Sequence, residues 1–178
     1  MKWEQIIGQQ SIKNLLQDSI KESRVGHAQL FVGEEGFGVL PLALAMAQEI
    51  FEKENPASVH KVENLNHLDL HFSFPVFTEN KNSLSKRLFD QWREFILENP
   101  YSSFDDWTSF LESENKQFFI SADEAEDIGQ RFNLKSFEGG SKILIVWRAD
   151  KMNDAAANKI LKFLEEPPKN TFIILCAP

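Results

Sequence analysis

Cysteine is almost missing from this chain: its 178 residues hold one, Cys176. That excludes an intrachain disulfide and any zinc site built from several cysteines, and Cys176, lying in an apolar run, reads as a small core residue. Long hydrophobic runs are missing too. No stretch reaches the roughly 20 apolar residues that a membrane-crossing helix needs, and Met1-Lys2-Trp3-Glu4 opens no basic-then-apolar leader. A cytoplasmic protein with no membrane contact is expected. Positive charge is in deficit, with 19 Lys and Arg against 27 Asp and Glu for a net charge of -8, which opposes non-specific attraction to a phosphate backbone. The chain is not expected to hold DNA tightly by itself. Apolar side chains are plentiful, 42% of the chain with 16 Phe and 4 Trp, enough for one domain with a sizeable core.

Residues 142–178 organise the rest. Lys142 to Trp147 and Thr171 to Cys176 are two apolar, β-branched runs, and about twenty residues of helical pattern separate them. Ala157, Ile160, Leu161 and Leu164 form the stripe expected to cover a sheet. Asn153 or Asp154 can cap the helix start, and Pro167-Pro168 must end it. Strand, crossover helix and strand form a parallel pair, and strands this continuously apolar are expected to be covered on both faces. The expected fold class is α/β.

Nearer the start, Ile12, Leu15, Leu16 and Ile20 mark an amphipathic helix that Gly26 is expected to stop. A strand over His27 to Val32 runs into Gly33-Glu34-Glu35-Gly36-Phe37-Gly38, and an apolar helix follows from about Val39 to Phe51. Strand, glycine loop and helix is the layout of a phosphate-binding loop, which needs curled backbone N–H groups, a lysine for the terminal phosphates and a hydroxyl for magnesium. Gly33, Gly36 and Gly38 are in place. The lysine and hydroxyl positions read Val39 and Leu40, and Glu34 and Glu35 add negative charge where a phosphate would sit. The loop is degenerate, and a tight turn kept for strand-to-helix geometry outweighs triphosphate chemistry.

Asn55 to Asn66 reads as a polar loop, and Leu68 to Phe74 as a strand closed by Pro75. His60, His67 and His71 lack the pattern of a metal site, and no metal is expected. Two helices follow, one through Leu84, Leu88, Trp92, Phe95 and Ile96, the other capped by Ser103 with Asp106 three residues on. Their aromatic stripes are packing faces, since Lys86, Arg87 and Arg93 are offset by neighbouring acids and base stacking goes with basic surroundings. A short strand over Gln117 to Ile120 is expected, then a helix opened by a Ser121–Glu124 capping box. In a nucleotide-hydrolysing version of this layout, the 142–147 strand would finish with an acidic pair for magnesium and the attacking water. This chain offers Trp147 and Arg148, while Asp150 reads as a turn residue.

The run from Asn153 to Pro168, with LEEPP at 164–168, resembles the bacterial DNA polymerase III clamp-loader subunits, which are AAA+ proteins. Residues 3–9, the glycine loop, Asn66-His67-Leu68-Asp69-Leu70 and Phe137-Glu138-Gly139-Gly140 match that family in order. Only about 76–116 lacks a counterpart and looks like a helical insertion. The resemblance implies a three-layer α/β/α domain over 1–178 whose 142 and 171 strands lie between the other two, with the 28–32 strand at an edge. It implies that the lid, the collar and the arginine finger lie outside this stretch. The lost loop lysine and acidic pair set the chain apart from gamma/tau and favour the delta-prime branch, a stator that does not turn over ATP.

Such a subunit would work with gamma/tau, delta and the sliding clamp, and would meet primer-template DNA only in the assembled complex. No cofactor is expected. The four zinc-binding cysteines common in the family have no counterpart at 52–66. An active gamma/tau-type ATPase and a scaffold unrelated to replication are the alternatives. Glu165, Glu166, Pro167 and Pro168 are candidates for a subunit interface. Two acids at the negative end of a helix have no local electrostatic reason to be there, although plain solvation is an equally good account.

Overall fold

The computed structural model describes all the residues, Met1–Pro178. Its centre is a four-stranded parallel sheet in the order β1-β4-β3-β2, where β1 is Ala28–Val32, β2 Leu70–Ser73, β3 Lys142–Trp147 and β4 Thr171–Ala177. Every residue of β3 is buried, as expected of a central parallel strand. Period-two alternation divides it between two cores. Ile143, Ile145 and Trp147 face a large cluster shared with α1 (Gln10–Lys21), α2 (Val39–Glu54), α4 (Phe89–Glu98) and α5 (Phe104–Phe110). Leu144 and Val146 face a smaller cluster with α6 (Ala122–Asn133) and α7 (Asp154–Glu165). The result is the three-layer α/β/α, P-loop-type arrangement of AAA+ proteins, with β1 at an edge.

Cover on both faces holds for β3 and fails for β1. Phe31 packs against the large core, whereas Leu30 and Val32 are 61% and 66% exposed. Leu30 pairs in register with Leu175 on the α6–α7 side, and those helices cover β3 and β4 without reaching the edge.

Several sequence expectations are corrected. The buried line of α1 is Lys13, Leu16 and Ile20, leaving Ile12 and Leu15 exposed. Lys13 buries its stem and donates from Nζ to Ile6 O at 3.2 Å. Gly26 does not stop α1: the chain turns at Ser23, φ 54, and Arg24 N donates to Ser19 O at 2.8 Å, a left-handed helix stop made without glycine. Residues 55–66 are not a plain loop, since a 3-10 turn, Pro56–Ser58, leads into α3 (Val59–Glu63). Gln117 to Ile120 makes only isolated bridges, Val76 to Phe119 and Ile120 to Met152. The buried residues of α7 are Ala156 and Ile160, and Leu161 is 54% exposed because Phe163 and Leu164 take the inner face.

Residues 76–116 are built into the core. Trp92 and Trp107 are fully buried, Trp92 stacked on Phe74 with ring centroids 4.7 Å apart. Trp107 donates from Nε1 to Pro75 O at 3.0 Å and meets Phe74 edge-on. Glu124 was expected to close a capping box. Ser121 Oγ does accept from Glu124 N at 3.1 Å, but the Glu124 carboxylate turns away and accepts Ser85 N at 2.8 Å and Ser85 Oγ at 2.5 Å. A buried acid thus ties the start of this segment to α6.

Candidate functional site

Because the strands are parallel, their carboxyl ends lie together, and in open α/β sheets that end is where ligands bind. The glycine loop leaves β1 there, Arg148 leaves β3, and Ala177 ends β4. Gly36 at φ 81 and Gly38 at φ 92 adopt left-handed backbone, which glycine takes without strain. Gly38 is the N-cap of α2, and no side chain caps that helix. Gly33 N donates to Ala177 O at 3.1 Å, fastening the loop to β4.

Gly33, Gly36, Gly38, Val39, Leu40, Trp147 and Arg148, placed in two motifs by the sequence, line one cavity of about 40 Å³. That is room for about one water molecule, where a ligand pocket usually measures several hundred Å³. Val39 is half-buried and Leu40 buried. Trp147 points into the large core, with ring centroids 6.3 Å from both Trp92 and Phe95. A carboxylate at 147 would therefore be a charge among aromatic rings, a costly arrangement when unpaired. Cys176 also lines the cavity, and burial pushes its thiol up to about 12, so it remains protonated and inert.

Arg148 itself is left-handed, φ 57 and ψ 54, a conformation that costs a non-glycine residue free energy and is kept only where its surroundings enforce it. Its Nε and Nη2 donate to the two oxygens of Asp150 at 2.8 and 2.7 Å. Those hydrogen bonds raise the guanidinium pKa further, against the opposing effect of partial burial. Its Nη1 pairs with the Glu35 carboxylate, so the strand end and the glycine loop are bolted together. The same Glu35 oxygen accepts Phe104 N at 2.9 Å, and the Phe104 ring lies 4.9 Å from Arg148 Cζ. Beside it Tyr101 accepts Ile7 N on its hydroxyl at 2.9 Å, and its ring comes within 3.4 Å of where a side chain on Gly38 would begin.

Nothing in the sequence pattern singled out Tyr101 or a structural use for Glu35, and Phe104 read only as part of a helix packing face. One signal was available: an indole in the acidic position of β3 requires an apolar partner, and the aromatic packing faces of 76–116 had no assigned surface to pack on.

Glu165 and Glu166 are exposed and Pro167 and Pro168 half-buried, at the far end of α7. If the two acids only feel the helix dipole, Glu165→Gln and Glu166→Gln should each raise stability by a few tenths of a kcal/mol. Urea unfolding of each variant checks this, and a loss of stability would show that the acids have a local partner.

At the opposite end of the sheet, His67 stacks on Phe51 at 4.0 Å and accepts Asp69 N on Nδ1 at 3.1 Å. The fully buried Asp69 accepts the N–H groups of Phe137 and Glu138 at 2.8 and 2.9 Å. Two of the matched motifs thus meet as a structural joint. No three His, Cys, Asp or Glu side chains come together as a metal-binding group, and no helix is long and apolar enough to cross a membrane.

A parallel sheet with a glycine loop between a strand and a helix at its carboxyl end is a P-loop-type α/β domain. The sequence is more specific: the family model described as "DNA polymerase III, delta subunit" matches residues 8–178, and the chain belongs to that family. The DNA polymerase III subunit delta' of Bacillus subtilis is 29% identical over 94% of this chain and 41% of its own length. That of Escherichia coli is 38% identical over 32% of this chain and 17% of its own. The chain thus spans about two fifths of the Bacillus relative. A gamma-subunit-related protein of DNA polymerase III from Thermotoga maritima, 17% identical, superposes with a TM-score of 0.42 over 94% of this chain and 38% of that one.

Proposed function

We propose that the chain is the stator portion of a delta-prime-type clamp-loader subunit, which supports ATP-dependent loading of the sliding clamp without hydrolysing ATP itself. Its partners would be gamma/tau and delta in the cytoplasm, with primer-template DNA met only in the assembled complex. The observation that carries the proposal is the state of the strand end. Trp147 and Arg148 stand where a metal-holding and a water-polarising carboxylate would be needed; the first is packed on Trp92 and Phe95 and the second is paired with Glu35 and Asp150. Val39 and Leu40 supply neither the cation nor the hydroxyl that a terminal phosphate and its magnesium require. Glu165, Glu166, Pro167 and Pro168 are offered as part of the surface that meets a neighbouring subunit.

Phosphate release from ATP by the intact protein should not exceed a no-protein blank. Val39→Lys with Leu40→Thr should not restore it, because the loop and the strand-end acids act as one unit whose losses do not add. Adding Trp147→Asp and Arg148→Glu should destabilise the domain before it creates a site, since the new carboxylate falls among buried rings. Turnover by the wild-type protein would refute the stator reading in favour of a gamma/tau-type ATPase. Failure to co-purify with its own gamma/tau would favour a scaffold outside replication.

A further inference from the structure

The phosphate end of this domain is closed by the chain itself. A nucleotide in a working site of this layout needs the glycine loop for its phosphates and the end of the acidic strand for its magnesium, and in this fold the segment before α1 lies beside both. Here one short piece of the 76–116 segment touches the loop, the strand end and the segment before α1. Tyr101 holds the first segment through Ile7 N and lies against Gly38. Phe104 holds Glu35 through its N–H and lies under Arg148 at the end of β3. Lys151 Nζ sits 4.7 Å from the same ring, and the space left is about 40 Å³.

We infer that residues 100–104 are a tethered occupant of the nucleotide site, fixing the glycine loop in one conformation with no ligand present. The inference rests on the reading of 33–38 as a degenerate phosphate loop, and it gives the stator a mechanical basis. A neighbouring subunit would meet a surface whose shape is independent of the nucleotide supply. The closure is also coupled to the lost acids, because the indole of Trp147 is covered by the same segment that carries the plug.

Amide hydrogen exchange of the intact protein, with and without magnesium ADP, tests this. In the wild type, the amides of these segments that have acceptors, Ile6, Ile7 and Phe37, should be protected and unchanged by ADP. Tyr101→Ala should speed exchange there by about tenfold while the β3 and β4 amides stay protected, which excludes global unfolding. Tyr101→Phe removes only the acceptor of Ile7 N, so it should release Ile7 and leave Phe37 protected. ADP-dependent protection of the loop in the wild type would overturn the inference. So would Tyr101→Ala leaving the loop as protected as before. Neither result depends on ATP turnover, so the plug can fail while the non-hydrolysing reading stands.

Discussion

Trp107→Ala is expected to lower the unfolding free energy by about 4 kcal/mol, the range found when a buried aromatic is cut back to a methyl group. Trp107 is fully buried. Its ring meets Phe74 of the sheet layer edge-on at 5.7 Å and lies 5.3 Å from Phe95 of α4 and 6.0 Å from Phe110 of α5, so one side chain fills the junction of three elements. Truncation leaves a cavity walled by rings that cannot collapse into it, and it strands the Pro75 carbonyl that accepts the indole N–H at 3.0 Å. Trp107→Phe should recover part of the loss, keeping ring contact without the hydrogen bond. Urea unfolding, followed by far-ultraviolet circular dichroism, gives both values. If residues 76–116 were only appended to the domain, Trp107→Ala would cost under about 1 kcal/mol, or would split the unfolding into two transitions with the sheet's midpoint unmoved.

The sheet was legible because its strands are short apolar runs bounded by helix signals and prolines. After Lys142 and Thr171, β3 and β4 are apolar to their ends, and Asn153, whose Oδ1 accepts Ala156 N at 2.8 Å, caps α7 where the pattern places the start. The parallel pairing follows from the crossover helix alone, while the order with β1 at the edge needed the family resemblance. Face assignments were less secure. Leu161 fits the helical period as well as Phe163 does, and only the position of α6 against α7 decides that the ring goes inside. Lys13 defeats a hydrophobicity pattern because its stem is apolar and the Ile6 carbonyl takes its charge. The Val59–Glu63 helix is too short and polar to show a period at all.

The two halves of the candidate site could each be read as degenerate from single positions, Val39 and Leu40 in one and Trp147 and Arg148 in the other. Their closure could not. It depends on contacts between Glu35 and Phe104, Ile7 and Tyr101, and Glu35 and Arg148, which are 69, 94 and 113 residues apart, and no local pattern links such distant residues. Arg148 shows the limit most clearly: as a letter it is a missing carboxylate, and in the fold it is the bolt between strand end and loop.

Acid should destabilise this domain through His71 well before its carboxylates are fully protonated. His71 lies on β2 with its ring edge-on to Phe132 at 4.8 Å. Burial, and after it the positive charge of Arg131, lowers its pKa from 6.5 to about 4, with Lys142 and His67 acting in the same direction and Asp69 against them. The folded state therefore holds the neutral ring, and between those two pH values the unfolded chain binds the extra proton. Stability from this group is complete above pH 6.5, falls as the pH drops, and levels off below about 4. At about 1.4 kcal/mol per pH unit the whole loss is roughly 3 kcal/mol, about 2 of it between pH 6.5 and 5. His67, also lowered by burial, adds to the same slope. Urea midpoints at pH 7.5, 6 and 5 for the wild type and for His71→Leu measure the difference directly. The variant should lose markedly less stability on acidification whatever its starting value, because its side chain has no proton to take up. Parallel curves for the two proteins would mean that the acid sensitivity resides elsewhere and that His71 is protonated without penalty in the fold.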